Sequence, residues 1–562
     1  MDMEYYGIKP FGATPTYRQI NHLKLGKKVF FHFGINTFTT NEWGDGCEKE
    51  SAFNPTDMNV RAWIRDAKSA GFELAIITAK HHDGFCLWPS KFTEHSVKNS
   101  PYKNGQGDVI REFCDACREY GMKIGIYVSP WDRNSPYWGT PEYSDYYANQ
   151  LEEIVTQYGR LDEIWWDCAG SAEAKYDWGK WAYIIRKNQP DAVIFGSMGA
   201  TPYAEMRWVG NESGFAGSTH YASINKEMMF NETVADMNRG IIGGELYVPA
   251  EVDVSIRPGW FYHKEQDAFV KSARVLDDIW FRSVGNNAIM LLNFPPDTTG
   301  NIVRRDVENA IESNQRINRM LAVNLLDGAT VSADSSLRPE CEIYKALISD
   351  DEIFYASAED KSTAVIDITV PKSAGEFNVL LLGEKVELGE RVTSFKLESL
   401  DSNAPVILYT GTSIGYKRAV KFKKGAYRHL RLTVEGICAP VTLRTLALHC
   451  YDEDESDPIV TGEKINLATL PTAKTVLHDK FTAQVMFGGI YPFDTVSFMM
   501  GLWGNYKVYA FDGSKYYVIA EGYSRDYRVT VKLDAPITSS YQIKIELDNQ
   551  RGFALEPNIT VY

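Results

Sequence analysis

Apolar and polar positions in the first half of the chain follow two different periods. Eight short runs are rich in β-branched and aromatic residues, and several are apolar on both faces, as strands buried in a parallel sheet are. They are VFFHFG (29–34), LAIITAK (74–80), KIGIYVSP (123–130), DEIWWD (162–167), AVIFGS (192–197), RWVGN (207–211), ELYVPAEVDV (245–254) and IMLLNFPP (289–296). The pattern predicts eight strands.

Amphipathic segments lie between these runs. In the segment 59–71 apolar residues recur at i, i+3, i+4 and i+7, and Gly71 ends the helix. These apolar residues are Val60, Trp63, Ile64 and Ala67. Further helices are predicted over 108–121, 145–159, 178–189, 265–280 and 305–324. Strands and helices that alternate in this way over about 300 residues predict a (β/α)8 barrel.

The pattern changes after residue 330. Short alternating runs replace the helical period, which is typical of β-sandwiches; they are FNVLLLG, VTSFKLESL, VILYTG, YRHLRLTVEG and VTLRTLALHC. The acidic run 452–455 indicates a solvated linker, and Asp512–Gly513 between two apolar runs indicates a hairpin turn. We predict three domains: a barrel over 1–330, a β-sandwich over 331–452 and a second β-sandwich over 453–562.

Composition and charge narrow the range of partners. The 562 residues include 74 acidic and 59 basic side chains, a net charge of −15, which argues against nucleic acid and against anionic lipid as partners. No run approaches the roughly 18 apolar residues of a membrane span, so membrane insertion is not expected. Aromatic residues make up 13% of the chain, a content that suits stacking against the C–H faces of sugars.

Two further features concern the environment of the protein. The chain starts MDMEYYG, without the basic and apolar regions of a signal peptide. We expect a secreted or periplasmic protein from which a signal peptide has been removed, with a cytoplasmic location as the alternative. Cys114 and Cys117 form a CxxC pair, but they fall inside a predicted helix and no second pair accompanies them, so no zinc site is predicted.

Polar and aromatic residues collect at the ends of the predicted strands. A (β/α)8 barrel carries its active site at this face, and such groups are hard to explain as core packing. The sequence therefore indicates a functional rim. Its members are His32, Lys80, His81, His82, Asp83, Tyr127, Trp131, Asp132, Trp165, Trp166, Asp167, Arg207, Glu212, Glu251, Arg257 and Trp260.

Two carboxylates on this rim suggest glycoside hydrolysis. Asp167 and Glu212 follow strands 4 and 6, whose backbones lie about 10 Å apart before inward side chains close much of the gap. A separation of about 5–5.5 Å lets one carboxylate attack the anomeric carbon while the other protonates the leaving oxygen. Asp167 ends a rigid strand and is the better nucleophile, whereas Glu212 lies in a Gly-flanked loop and suits the acid. In the alternative without catalytic roles, Asp167 caps the helix that follows strand 4 and Glu212 forms a salt bridge with Arg207.

Seven motifs run in a fixed order through most of residues 10–320. They are FFHFGINTFTTNEWG, TAKHHDGFCLWPS, GIYVSPWD, EIWWD, RWVGNESG, SIRPGWFYH and SVGNNAIMLLNFPPD. Together they resemble glycoside hydrolase family 29, the retaining α-L-fucosidases. The PWD, NESG and RPGWFYH forms resemble the branch that is selective for α-1,3/1,4-linked fucose, as found in Lewis-type antennae.

The resemblance implies roles for single residues. Asp167 is the implied nucleophile and Glu212 the implied acid/base, with Glu251 as a competing acid/base. The residues implied to bind the fucose hydroxyls are His32, Glu42, Trp43, His81, His82 and Tyr127. The place of Trp260 suggests that it packs on the fucose C5 methyl. No cofactor and no metal is implied, and the expected partner is a fucosylated oligosaccharide or glycoprotein glycan.

The C-terminal part also resembles known modules. FNVLLLGEKVELGERVTSFKLE followed by GTSIGYKRAVKF resembles the galactose-binding-like sandwich attached to many such fucosidases, and the segment after residue 458 is similar. Either sugar binding or bracing of the barrel fits these two modules.

Three different functions also have to be weighed against the sequence. A metal-dependent amidohydrolase would use an HxH on strand 1, where this chain has one histidine. Its next histidines, His81 and His82, are adjacent and on an extended strand would point to opposite sides. A fucosidase of broad specificity is the second function, and a non-catalytic fucoside-binding protein on a hydrolase barrel is the third. The presence of both carboxylates argues against the binding protein.

Overall fold

The computed structural model covers the chain in two compact units. It describes residues 5–167, 171, 174–229, 234–452, 468, 474–478, 481–486, 493–500, 504–511, 515–524, 528–537, 540, 542–548 and 559–561. The second unit consists of 453–562 with the short pieces 268–271 and 421–423, and the first unit holds the rest. The barrel and the sheets that follow it directly therefore share one unit, and the predicted domain boundaries stay predictions.

Eight parallel strands close into a barrel, which confirms the predicted fold. They are β1 (Lys27–Phe31), β2 (Leu74–Lys80), β3 (Lys123–Val128), β4 (Glu163–Trp165), β5 (Val193–Gly196), β6 (Met206–Trp208), β7 (Ala250–Ser255) and β8 (Ile289–Asn293). Consecutive strands pair in parallel, and β8 pairs with β1 to close the ring. The carboxyl ends of all eight strands therefore meet at one face.

The helices between the strands follow the apolar periodicity of the sequence. They are α1 (Tyr17–Leu25), α2 (Asn36–Thr39), α3 (Val60–Ser69), α4 (Val109–Glu119), α5 (Tyr143–Gln157), α6 (Trp178–Asn188), α7 (Val234–Arg239), α8 (Ala273–Arg282) and α9 (Arg304–Leu321). In α3 the four residues of the predicted apolar stripe are all buried, and the Trp63 ring lies 5.6 Å from that of Phe31 in β1. Among the described residues, no helix is long and apolar enough to cross a membrane.

Two predicted elements differ from the structure. The strand predicted over 245–254 is two strands, because Leu246–Tyr247 pairs antiparallel with Ser223–Ile224 and β7 begins only at Ala250. Pro249, which has no N–H to donate to a ladder, lies between the two. The helix predicted over 265–280 begins instead at Ala273, where the Ser272 hydroxyl accepts the backbone N–H of Val275 and caps the first turn.

A buried charged cluster fills the lower interior of the barrel. The Lys28 ammonium in β1 donates to Glu163 in β4 at 2.6 Å and also to Glu251 in β7, and all three side chains are fully buried. Burial and the neighbouring charge of Glu251 raise the pKa of Glu163 well above its usual value. One buried ammonium group therefore faces two buried carboxyl groups at the base of the site.

Replacing Lys28 is expected to destabilise the barrel strongly. Lys28→Met leaves Glu251 buried without its cation, and breaking a buried pair in this way lowers the free energy of unfolding by about 3–5 kcal/mol. The measurement is urea unfolding followed by tryptophan fluorescence. Lys24→Met is the matched control, because Lys24 forms an exposed pair with Asp351, which is worth about 1 kcal/mol or less. A double variant Lys28→Met with Glu251→Gln should recover most of the loss; no recovery would contradict the pairing argument.

Antiparallel sheets follow the barrel, as predicted. A five-stranded sheet has the order Thr330–Ala333, Thr363–Thr369, His429–Gly436, Val392–Ser399, Val406–Gly411. A three-stranded sheet has the order Arg418–Gly425, Phe377–Gly383, Thr445–His449, and Tyr355–Ala356 pairs with Thr442–Leu443. The apolar pattern of the sequence did not predict Thr330–Ala333 or Thr363–Thr369.

The second unit contains a further β-sandwich. One sheet has the order Lys474–Leu477, Thr482–Met486, Gln542–Asp548, Gly504–Phe511, Tyr516–Ser524, and the other has the order Arg528–Ile537, Phe493–Met499, Thr560–Val561. Side chains of both sheets, such as Val485 and Phe498, share one apolar core. The two strands of the predicted hairpin pair antiparallel, whereas its Asp512–Gly513 turn and linker residues 453–458 lie outside the described residues.

Candidate active site

Five of the predicted binding residues meet at the carboxyl ends of the barrel strands. The His81 ring lies 5.7 Å from His32, 4.1 Å from His82 and 5.6 Å from Tyr127, measured between ring centroids. The Trp260 ring lies 4.8 Å from His32. These residues come from segments far apart in the sequence, and the closure of the barrel brings them together.

Asn293 at the end of β8 orients two of them. Its Oδ1 accepts the backbone N–H of His32 and lies 3.0 Å from His32 Nδ1, while its amide nitrogen donates to the backbone oxygen of Trp260 at 2.8 Å. Burial is the main cause that lowers the pKa of His32 to about 3. His32 is therefore neutral at physiological pH, with its other ring nitrogen left for a ligand. Sequence reasoning missed Asn293, because it lies within an apolar strand pattern.

The two adjacent histidines both reach the site, contrary to the prediction that they point to opposite sides. The strand β2 ends at Lys80, so His81 and His82 lie in a turn rather than in extended backbone. Burial lowers the pKa of His82 to about 4 and that of His81 well below its usual value. His82 Nδ1 lies 2.7 Å from the Ser129 hydroxyl, and the buried His81 Nδ1 has no hydrogen-bond partner among the described residues. Both neutral rings suit hydroxyl groups as ligands.

Asp167 lies beside these rings. The Tyr127 hydroxyl donates to Asp167 Oδ2 at 3.1 Å, and His82 Nε2 lies 3.6 Å from the same oxygen. Burial and the charge of Asp167 raise the pKa of the Tyr127 phenol well above its usual value, so it stays a donor. Asp167 does not cap the following helix, because Asp177 is the N-cap of α6 and accepts the backbone N–H of Lys180 in its first turn. The non-catalytic alternative for Asp167 is wrong.

Glu212 lies in the loop after β6, next to Trp260. The Trp260 indole N–H donates to Glu212 Oε2 at 3.1 Å. Desolvation raises the pKa of Glu212 to about 7; the charges of Asp167 and Glu42 also raise it, and the Trp260 hydrogen bond lowers it. The residue keeps an exposed surface, so water screens part of this effect. The charge influence of Asp167 and Glu42 shows that three carboxyl groups share this side of the barrel.

Glu42 and Trp43 form the mouth of the site. The Glu42 carboxylate accepts the backbone N–H of Trp260 at 2.8 Å and lies 2.6 Å from His263 Nε2. The Trp43 side chain is 46% exposed, and its ring centroid lies 5.9 Å from that of His82. Trp43 therefore offers a partly free aromatic surface where a ligand would enter.

Glu251 does not lie on the rim, contrary to the sequence prediction. It occupies the second position of β7, is fully buried, and its carboxylate binds Lys28 and the Trp165 indole N–H at 3.1 Å. An acid/base must reach the glycosidic oxygen, and this carboxylate is held by ion pairing inside the barrel. The geometry argues against Glu251 as the acid/base.

Several further predicted rim residues are buried in pairs that hold the loops. Lys80 pairs with Asp132 at 3.0 Å, and Arg257 makes a two-point pair with Asp306. Arg207 donates to the backbone carbonyls of four residues. It therefore does not form the salt bridge with Glu212 that the non-catalytic alternative predicted. Trp165 and Trp166 are buried ring-packing residues. These residues brace the site.

Asp253 is a carboxyl that sequence reasoning missed. It follows Glu251 by two positions in β7 and therefore points to the same interior face one layer higher. It is buried, and its Oδ1 has no hydrogen-bond partner among the described residues. Burial and the charges of Glu212, Asp167 and Glu251 raise its pKa well above the usual value. The alternation of side chains along β7 was the sequence signal that could have identified Asp253.

One group of the described residues could ligate a metal ion. A ring nitrogen of His81, a ring nitrogen of His82 and a carboxylate oxygen of Asp167 all lie within 4.8 Å of one another. Two neutral imidazoles and a carboxylate are ligands that Zn²⁺ accepts. The same three groups also suit a sugar with several hydroxyls, and the sequence prediction of a metal-free site stays a prediction.

The arrangement provides two carboxyl groups in different environments beside neutral hydrogen-bonding rings. Asp167 accepts a hydrogen bond from the Tyr127 hydroxyl, and Glu212 retains a proton to higher pH than an ordinary glutamate. A pair of carboxyls in different protonation states is the chemistry that glycoside hydrolysis needs. Glu42 and the rings add contacts for an uncharged polar ligand.

Comparison with known proteins gives matches over most of the chain. The family model described as alpha-L-fucosidase matches residues 16–313. Alpha-L-fucosidase 1 of Arabidopsis thaliana is 37% identical over 485 residues, which cover 84% of this chain and 94% of that protein.

Solved structures are also similar to this chain. A glycoside hydrolase 29 family member from an unknown rumen bacterium is 30% identical with a TM-score of 0.72, and the alignment covers 99% of this chain and 100% of that one. A GH29 fucosidase from Ruminococcus gnavus, solved in complex with fucose, is 31% identical with a TM-score of 0.73 and coverages of 79% and 96%. The matches therefore extend over the barrel and, for the rumen protein, over almost the whole chain.

Proposed function

Because the chain belongs to the α-L-fucosidase family and is a glycoside hydrolase, we propose that it removes terminal α-1,3/1,4-linked fucose from Lewis-type oligosaccharides and glycans with retention at the anomeric carbon. The nucleophile of this proposal is Asp167 and the acid/base is Glu212. The fucose hydroxyls are bound by the residues around them: His32, Glu42, Trp43, His81, His82 and Tyr127. Trp260 packs on the C5 methyl.

The reaction proceeds in two displacements. Asp167 attacks C1 while Glu212 gives its proton to the glycosidic oxygen, so the C1–O bond breaks and a fucosyl–Asp167 ester forms. Glu212, now ionised, takes a proton from water, and the water oxygen attacks C1 and releases Asp167. Two inversions at C1 give α-fucose.

One observation carries this proposal: Glu212 and Asp167 lie near each other in different environments. The pKa of Glu212 is raised to about 7, so a large fraction is protonated at neutral pH, as an acid must be. Asp167 accepts a hydrogen bond from the Tyr127 hydroxyl at 3.1 Å, which holds the carboxyl group in place beside the rings of the site.

The linkage part of the proposal rests on the PWD, NESG and RPGWFYH motif forms and on the mouth of the site. Trp131 of the PWD motif lies 5.5 Å from Trp43 between ring centroids, and both are partly exposed. Two aromatic rings at the mouth favour an acceptor with sugar units beside the fucose over a simple leaving group. A broad-specificity fucosidase is the alternative.

The test is fucose release from three substrates followed by proton NMR. A Lewis-type trisaccharide with α-1,3/1,4-linked fucose should be hydrolysed at least about tenfold faster in kcat/KM than an α-1,2-fucosylated lactose, since recognition of the acceptor is worth a few kcal/mol. An aryl fucoside serves as the reference. The first fucose anomer to appear should be α. Similar rates on all three would reject the linkage preference, and β-fucose appearing first would reject retention.

A further inference from the structure

A cleft of about 1130 Å³ opens beside the candidate active site. One wall comes from residues 138–141 and from Tyr143 and Ser144 at the start of α5. The other comes from residues 171 and 174–177 and from Trp181 in α6. Trp131 also lines the cleft, and its ring centroid lies 5.0 Å from that of His82. The cleft and the candidate active site therefore share a wall at Trp131.

The lining is aromatic, with few charges. Trp138 is partly exposed, and its ring lies 5.0 Å from Tyr143 and 6.0 Å from Tyr176, so three rings cluster along one wall. Among the described lining residues, only Lys175 and Asp177 are charged, and their charges are opposite. Aromatic walls with a few polar groups and no net charge suit a neutral polar ligand with apolar C–H faces, which describes an oligosaccharide.

The mechanism leaves one place for the rest of the substrate. Fucose is the terminal unit of the substrate, so every other sugar is attached to it through the leaving oxygen. The base of the site is closed by the buried cluster of Lys28, Glu163 and Glu251, so these sugars must extend from the mouth. The mouth is bordered by Trp43 and Trp131, and the cleft begins at Trp131.

From this continuity we propose that the cleft binds the oligosaccharide on the leaving-group side of the fucosyl bond, with Trp138 as a stacking platform. The proposal rests on the proposed fucosidase function and deepens it. The volume exceeds the roughly 300–1,000 Å³ of pockets that hold a drug-sized ligand, so several sugar units fit. Among the described residues, the buried Ser144 hydroxyl has no hydrogen-bond partner and is a candidate contact for a sugar hydroxyl.

The test compares a long and a short substrate on one variant. Trp138→Ala should lower kcat/KM for an oligosaccharide that carries a Lewis-type trisaccharide at its end at least about fivefold more than for an aryl fucoside, as expected for an aromatic contact in a binding site. Tyr183→Ala is the matched control, because Tyr183 is a 68% exposed aromatic on α6 that does not line the cleft, and it should leave the ratio unchanged.

A second variant tests the cleft independently, in case Trp138→Ala does not fold. Thr140→Trp places a large ring at an exposed position of the lining and should produce the same selective loss on the long substrate by narrowing the cleft. If each variant lowered kcat/KM equally for the long and the short substrate, the proposed role of the cleft would be wrong, while the fucosidase function would stand. An absence of fucose release from every substrate by the unmodified enzyme would instead overturn the function, and the cleft with it.

Discussion

Asp167→Ala should lower kcat by about 10⁴-fold or more, because it removes the group that forms the covalent intermediate. The rings that face its Oδ2 should stay in place, because Tyr127 is held in β3 and His82 in the turn after β2. Asp253 is buried in β7, and burial raises its pKa, which disfavours the ionised form that a nucleophile needs. The measurement is steady-state hydrolysis of an aryl fucoside, whose good leaving group makes the first step easy.

Two further variants and the addition of azide test this prediction more closely. Asp167→Asn keeps the shape of the side chain and should be as inactive as the alanine variant, which separates loss of the charge from loss of packing. Asp145→Ala is the control, because Asp145 is an exposed aspartate paired with Lys180, and its loss should leave kcat unchanged. Added azide should partly restore aryl release in Asp167→Ala, since a small anion fits the space left. A rate near that of the unmodified enzyme would contradict the assignment of the nucleophile.

The regular elements could be predicted because local sequence encodes them. The apolar stripe of α3 and the run 74–80 of β2 match the structure closely, since burial on one stripe or on both faces leaves a clear period in the sequence. The strand Thr330–Ala333 was missed because its residues are exposed or half-buried and show no apolar run. The split at Pro249 was readable in principle, but the apolar residues on both sides hid it.

The depth of a side chain in the barrel could not be predicted from local sequence. Glu251, Asp253 and Ser255 alternate along β7 and share one face, and only the register with β8 places the first in the buried cluster. The same limit applies to His81 and His82, whose common direction follows from the end of β2 at Lys80. Asp167 could be found because it follows the end of β4 by two residues.

Glu212 should control the alkaline limb of the pH profile. Its raised pKa of about 7 means that the protonated form persists to neutral pH and is lost as the pH rises through that value. Because the first step needs this proton, kcat/KM on an oligosaccharide should be flat below about pH 7 and fall tenfold per pH unit above it. Trp260→Phe removes the indole N–H that stabilises the ionised form, so the limb should move to higher pH.

Glu212→Ala should lower kcat on a natural fucoside by about 10²–10⁴-fold, the usual contribution of general acid catalysis. An aryl fucoside with a good leaving group needs little protonation, so its cleavage should suffer far less, and the alkaline limb should disappear. Glu251→Gln is the matched comparison: it disturbs the pair with Lys28 and should lower stability without changing the dependence on the leaving group. If Glu251→Gln showed that dependence and Glu212→Ala did not, the acid/base would be Glu251, in spite of its burial.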